Sequence, residues 1–220
     1  MKVGFGSMTS TMKSAPSVLI EKWGAEAPKK AQGVTDRVLS YGHTSVAEQA
    51  RTTFGMMCSL VTYHQQLRHR LSANMREPLT NLIDDVQRPV KLPPTIANSN
   101  FYKEYQALTV KLKKFRKHIA QVYGKDKAMQ FLLNCDQVKV IVSANARADI
   151  SMMADRTCMN AQWEIRELAV RKVMELRKLS SVLYEKALPS CVNGACREGK
   201  MTCGQAEKVR ALFSQSEKLI

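Results

Sequence analysis

Arg68-His69-Arg70 is the densest charge cluster near the middle of the sequence. Two guanidiniums flanking an imidazole suit a phosphate or a flavin ring, because arginine forks grip oxyanions bidentately. The same cations at a helix end would also complement its negative dipole end. Three residues alone do not separate capping from binding. A second cluster, Asn145-Ala146-Arg147, directly follows a β-branched run, and Arg156 stands nine residues beyond Arg147. Polar side chains that close a strand and open a helix are where ligands are commonly met. A plain surface helix start has the same composition. The third cluster is Asn160-Ala161-Gln162-Trp163-Glu164-Ile165-Arg166, in which Gln162 and Glu164 also fit a solvated outer face. Finally, Cys191-x4-Cys196-x6-Cys203 places three thiols late in the chain, without CxxC spacing and with no histidine nearby for a fourth ligand. Free or packed thiols are expected there, and no metal site. The other three cysteines, Cys58, Cys135 and Cys158, are spread through the apolar body as reduced, buried thiols.

These groups need elements to hold them. Residues 17–41 read as helical turns broken by Gly24, Pro28 and Gly33 and closed by Gly42. Ser45-x-x-Glu48 is a capping box, so a helix is expected to start there. A short β-like run, 52–57, follows it. Residues 59–71 read as helix again, with Leu60, Tyr63, Leu67 and Leu71 on one side. Three prolines make 88–100 a loop. From 101 to 123, Phe101, Tyr105, Leu108, Leu112, Phe115, Ile119 and Val122 recur at alternating steps of four and three, lining one face of a long helix. Lys111, Lys113, Lys114, Arg116 and Lys117 fall mainly on its other sides. Val138-Lys139-Val140-Ile141-Val142 is expected to be a buried strand. A helical stretch opens at Asn145-Ala146, and a second long helix is expected from about Asn160 to Lys186, stopped by Pro189 and Gly194. The mixture is α+β, with more helix than strand.

With 220 residues, 45% apolar and 24% charged, the chain has a globular composition and suits one domain or two small ones. No apolar run approaches the roughly 20 residues that span a bilayer, and the opening MKVGFGSMTSTMKSAPS lacks the apolar core of a cleaved leader. A cytoplasmic protein that does not enter the membrane is expected. Of the net charge of +15, +6 falls in residues 101–127, which carry 8 basic against 2 acidic side chains. Such a patch attracts polyanions, nucleic acid among them. A lysine-rich solvated helix face fits equally well. At 6% aromatic the chain is a poor base-stacking platform.

The ordered set Gly42-His43-Thr44-Ser45-Val46-Ala47-Glu48, Gln65-x-x-Arg68-His69-Arg70, Asn145-Ala146-Arg147, then Arg156 and Ala161-Gln162-Trp163-Glu164-Ile165, resembles the motif order of the flavin-dependent thymidylate synthases. The closing Pro189-Ser190-Cys191 and Glu198-Gly199-Lys200-Met201-Thr202-Cys203-Gly204 look like the tail of some members. The resemblance covers about residues 40–75 and 136–204. It implies a single domain over 1–220, with a central sheet and long helices, that methylates dUMP to dTMP. The carbon donor would be methylenetetrahydrofolate, the reductant NADPH and the hydride carrier FAD, in a homotetramer whose sites form between subunits. Carried over by motif position, Ser45, Glu48, Asn145 and Arg147 contact FAD, and Arg68, His69 and Arg70 hold the flavin. Gln65 and Arg68 face the pyrimidine nucleotide, and Arg156 is the catalytic arginine that meets the uracil edge and favours its ionised N3.

Several positions depart from the family pattern. The signature serine seven residues after Arg-His-Arg is Pro78 here, and the arginine that follows is Thr80; a one-residue slip offers only Glu77. The acidic residue ahead of that serine is Arg76, and a further nucleotide-binding arginine aligns with Met129. An Asn and a His that help hold FAD in many members correspond to Ser151 and Asn160. Two lost charged phosphate contacts would cost about 3–6 kcal/mol if nothing replaced them. That is roughly two to four decades of affinity. Arg76 or the lysines of 111–117 are the available replacements. Two other readings follow from the departures: a flavoprotein of the same fold modifying another pyrimidine, free or in nucleic acid, and a non-catalytic basic nucleic-acid-binding homologue.

Overall fold

Val138, Val140, Val142 and Ala144 are buried, while Lys139 and Ile141 between them are exposed. That is the two-residue period of a strand with one covered face. The strand β3 (Gln137–Asn145) is thus half-buried rather than buried on both sides, and it lies in the middle of a three-stranded sheet of order β1-β3-β2. β1 is Arg51–Ser59 and β2 is Ala73–Arg76. Helices outweigh these strands, so the class is α+β. The computed structural model describes residues 3–4 and 15–216. Most of the N-terminal stretch read for a leader lies outside them. The chain divides into two compact units, Met1–Thr52 with Ser143–Ile220, and Thr53–Val142.

In the unit Thr53–Val142, Ser59 ends β1 and its hydroxyl accepts from Thr62 N–H at 3.2 Å, capping α3 (Leu60–Gln66). This helix stops five residues short of the expected span, and Leu67 and Leu71 are exposed. The Gln66 amide turns to Ser72 Oγ, and that hydroxyl donates to the His69 carbonyl at 2.7 Å, which closes a turn instead of another helical rung. Residues 88–100 are mostly irregular, with one helical turn at Pro94–Ala97.

The long helix α4 (Tyr102–Tyr123) forms where its periodicity places it, but it buries a different face. Phe101, Leu108, Phe115 and Val122 are exposed, whereas Thr109, Lys113 and Arg116 are buried. Lys113 donates to the Arg88 carbonyl. Arg116 forks onto Asp136 and donates to the Leu82 carbonyl at 2.7 Å, and Asp136 also accepts from Leu133 N–H at 2.8 Å. The buried pair with these extra hydrogen bonds fixes which face of the helix turns inward, since a charge buried there without its partner would cost about 3–5 kcal/mol. Asp136→Ala is therefore expected to cost about 3–5 kcal/mol in urea unfolding. The paired change Arg116→Met with Asp136→Leu should restore most of it, and a single variant indistinguishable from wild type would contradict this account.

In the other unit, α1 (Pro16–Trp23) and α2 (Ala27–Ser40) meet through Leu19, Ala27 and Ala31, with Trp23 and Val34 packed against them. Pro28 starts α2 rather than breaking it, since the first turn needs no N–H donor; Gly33 lies inside the helix. Gly42 makes the following turn at φ 79°. Thr44–Gln49 is a 3-10 turn rather than an α-helix. The capping box does not form: the N-cap is His43, without a side-chain cap, and Glu48 goes instead to Arg147. Three longer helices follow, α5 (Ala146–Arg156), α6 (Trp163–Leu179) and α7 (Ala206–Ser216), with a single helical turn at Ser190–Asn193 before the last. α6 is shorter than the expected 160–186. Gln162 caps it by accepting from Ile165 N–H at 2.9 Å, and Glu164 is buried, so neither residue solvates an outer face. Ser180, in extended conformation, ends it.

Candidate functional site

The polar turn after β3 is built by two hydrogen bonds. Asn145 Oδ1 accepts from Ala148 N–H at 2.9 Å and so caps α5; Ala146 N–H donates to the Ala50 carbonyl at 2.8 Å. The second bond ties the end of the 44–49 turn to the helix start. One face of α5, Ala148, Asp149, Met152 and Met153, is buried. The opposite face carries Arg147, Ser151 and Asp155 at four-residue steps, with Ile150 and Ala154 beside them. These side chains wall a cleft of about 700 Å³, closed by Thr44 and by residues 186–197. Clefts of this size are ordinary for cofactor and ligand sites.

Arg147 pairs with Glu48 at 2.6 Å, and both side chains are about half exposed. Ser45 is exposed on the 3-10 turn. Of the residues singled out in this unit, Arg147 and Ser151 are in the cleft wall. Asn145 serves as the helix cap, and Arg156, half-buried in the last turn of α5, is not part of that wall. Asn160 faces the tail instead, donating to the Met201 carbonyl at 2.8 Å.

In the unit Thr53–Val142, Gln65 is half-buried on α3. Arg68-His69-Arg70 occupies the turn after that helix, held by Arg68 N–H to the Gln65 carbonyl and His69 N–H to the Gln66 carbonyl. Arg68 and Arg70 are exposed and make no ion pair among the described residues, which leaves two guanidiniums available to an oxyanion. His69 is half-buried and partnered. Pro78 is exposed, and Thr80 precedes the single turn Asn81–Asp84. Arg76, an available replacement, is exposed and donates to the Glu77 carbonyl at 2.9 Å. Lys111, Lys114 and Lys117 remain exposed on α4, whereas Lys113 and Arg116 are withdrawn from any polyanion.

Two charge networks escaped the sequence reading. Asp149, wholly buried, accepts from Thr52 Oγ1 and from Lys172 Nζ, each at 2.6 Å. Burial, with the Asp149 charge adding to it, pushes the Tyr184 hydroxyl up to about 12. The second network centres on Glu77. Burial alone would raise its carboxyl, but Arg88, the Lys139 N–H and Asn81 outweigh it and hold it down at about 2. Neither network has a local signal, since Lys172 is 23 residues from Asp149 and Arg88 is 11 from Glu77. A carboxyl whose folded value lies below its ordinary 4.5 stabilises the fold fully above 4.5 and loses that contribution as pH falls toward 2. Thermal unfolding of wild type and Glu77→Gln should therefore differ most at neutral pH and converge over that acid range. A pH-independent difference would refute the linkage.

The chain is thus of the α+β class, with a polar strand-to-helix turn and a cleft beside it in one unit and, in the other, two exposed guanidiniums without an ion pair among the described residues. Residues 6–180 match the family described as thymidylate synthase complementing protein, Thy1, and the chain belongs to that family. Relatives include the flavin-dependent thymidylate synthases of Geobacter sulfurreducens, 32% identical over 82% of this chain and 79% of the relative, and of Clostridium tetani, 31% identical over 84% and 82%. The Thermococcus kodakarensis enzyme of the same name is 30% identical over 82% and 78%. The crystal structure of flavin dependent thymidylate synthase ThyX from Helicobacter pylori, complexed with FAD and dUMP, has the same fold. Its TM-score is 0.66 at 16% identity, covering 86% of this chain and 96% of that one. Among the described residues no helix is long and apolar enough to cross a membrane.

Proposed function

We propose that this chain is a flavin-dependent thymidylate synthase, methylating dUMP to dTMP with methylenetetrahydrofolate as carbon donor and NADPH as reductant. The observation that carries the reading is the family match over 6–180, which runs through the motif clusters from Gly42 to Arg166 and through parts of both compact units. It also supports treating residues 1–220 as one domain of this type. A homotetramer and a cytoplasmic location belong to the same reading.

The donor types suit FAD, a flat ring joined to a pyrophosphate. In one unit Arg68 and Arg70 offer unpaired forks on either side of His69 in sequence; in the other, Arg147 and Ser151 line the cleft and Ser45 lies on the 44–49 turn. Asn145 fixes the start of α5, and Glu48 orients Arg147 through their ion pair. FAD, when bound, supplies the hydride. Gln65 and Arg68 hold the nucleotide, and Arg156 stabilises the ionised N3 of its base electrostatically. Arg76 is the nearest cation in sequence to replace what Pro78 and Thr80 lack. The readings based on nucleic acid lose support because Lys113 and Arg116 are buried.

The test is tritium release from 5-tritiated dUMP by the purified protein with FAD, NADPH and methylenetetrahydrofolate. Release is expected, and none at saturating dUMP would overturn the proposal. Arg147→Ala should weaken FAD binding about ten- to a hundredfold. Because its pair with Glu48 is half exposed, stability should change by less than about 1 kcal/mol. Flavin fluorescence titration and urea unfolding report the two quantities separately.

A further inference from the structure

Four of the six cysteines, Cys158, Cys191, Cys196 and Cys203, line one small cavity. Its free space is about 10 Å³, room for one water-sized occupant or smaller. The tail supplies three of these thiols, and the fourth comes from the segment just after α5, 33 residues before Cys191 in sequence. We propose that these four cysteines form a thiolate site for a zinc-type divalent ion, which staples the 190–204 segment to the end of α5.

Core packing does not account for the cluster. Cys196 is exposed and Cys158 and Cys203 are partly so; only Cys191 is buried. Nor does the segment have apolar burial to hold it, since residues 194–202 are exposed throughout and their one helical element is a 3-10 turn at Gly199–Met201. Small, loop-rich stretches of this kind are held by cross-links or metals where a core is lacking. Polar contacts already steer the loops toward each other. Arg210 Nε donates to the Cys191 carbonyl at 2.7 Å and its Nη2 to the Gly194 carbonyl at 3.3 Å. Arg197 N–H donates to Ser190 Oγ at 3.1 Å, and Asn160 holds the Met201 carbonyl.

Among the described residues no three His, Cys, Asp or Glu side chains already stand in a group able to hold an ion. Loading therefore requires thiols to change between staggered rotamers and close to about 2.3 Å from the ion in a tetrahedron. Each Zn–S bond that forms replaces an S–H bond, and the proton leaves to solvent, with no change of oxidation state. The resulting complex carries a net charge of about −2, which the neighbouring Arg197, Lys200 and Arg210 offset. Cys196 and Arg197 also belong to the wall of the 700 Å³ cleft, so the ion would fix that wall in place.

The test uses the full chain, reduced and stripped by chelator, titrated with Co2+ as the probe. One ion per chain should bind, with a near-ultraviolet thiolate-to-cobalt band and intense visible bands of tetrahedral cobalt, and equimolar Zn2+ should abolish both. Roughly four protons should be released per ion near neutral pH. The double variant Cys196→Ser with Cys203→Ser should lose affinity by more than about a hundredfold, the upper range for merely supporting residues, while Cys135→Ser should bind as wild type does. No cobalt bands from the wild type at excess metal, equal binding by the double variant, or disulfides among these four cysteines in metal-free protein purified without oxidant would each overturn the site. None of these readouts depends on flavin or dUMP.

Discussion

Arg156→Ala is expected to lower dTMP formation about a hundred- to a thousandfold, the usual loss when one preorganised charge donor to a reacting group is removed. Arg156 ends α5, where a cation also complements the helix dipole. That helix-end term is only about 0.3–1 kcal/mol, and urea unfolding of the variant reads stability separately from turnover. The effect should fall on turnover with dUMP, and the flavin absorption band should persist after titration with FAD. Arg156→Lys should recover only part of the rate, because an ammonium keeps the charge but not the planar fork. Tritium release and flavin titration together separate a base-facing role from a cofactor-holding one. Turnover within tenfold of wild type would remove Arg156 from the reacting centre.

Asp149→Ala should be the most destabilising single change on α5. Its carboxylate is wholly buried and satisfies both the Thr52 hydroxyl and the Lys172 ammonium, whose side chain is 12% exposed. Removing it takes this buried acceptor from both donors at once, at a cost of about 3–5 kcal/mol, out of the 5–15 kcal/mol typical of a whole domain. Asp149→Ala with Lys172→Met should lose less than the two single losses added together, because the two side chains share one contact. Urea unfolding of the two singles and the double forms a cycle, and additive losses would show that the pair is not coupled. The network matters to the site because Asp149 anchors the buried face of the helix whose other face carries Arg147 and Ser151.

The motif order was legible because each cluster is short and contiguous. The polar turn at Asn145 and the existence of β3 are local patterns that the structure reproduces, although the strand is covered on one face only. The errors also share a cause. The helix at 102–123 was legible from its repeat, but its buried face was not. Asp136, which draws Arg116 inward, is 20 residues away, and Lys113 finds a carbonyl 25 residues away. The Ser45–Glu48 box failed for the same reason, since Arg147 competes for Glu48 from 99 residues away. Nothing in the spacing of the tail cysteines announces Cys158 as their fourth neighbour.

What the sequence by itself determined is therefore local: the long helices and the strand before Asn145, the helix start at Asn145, and the ordered motifs that place the chain in its family. What only the tertiary structure decided is which faces are buried, which charges are neutralised and which thiols meet. Secondary structure is encoded in contacts three to seven residues apart, whereas these pairings depend on distant segments closing on one another, and burial then makes an unpaired charge too costly to leave.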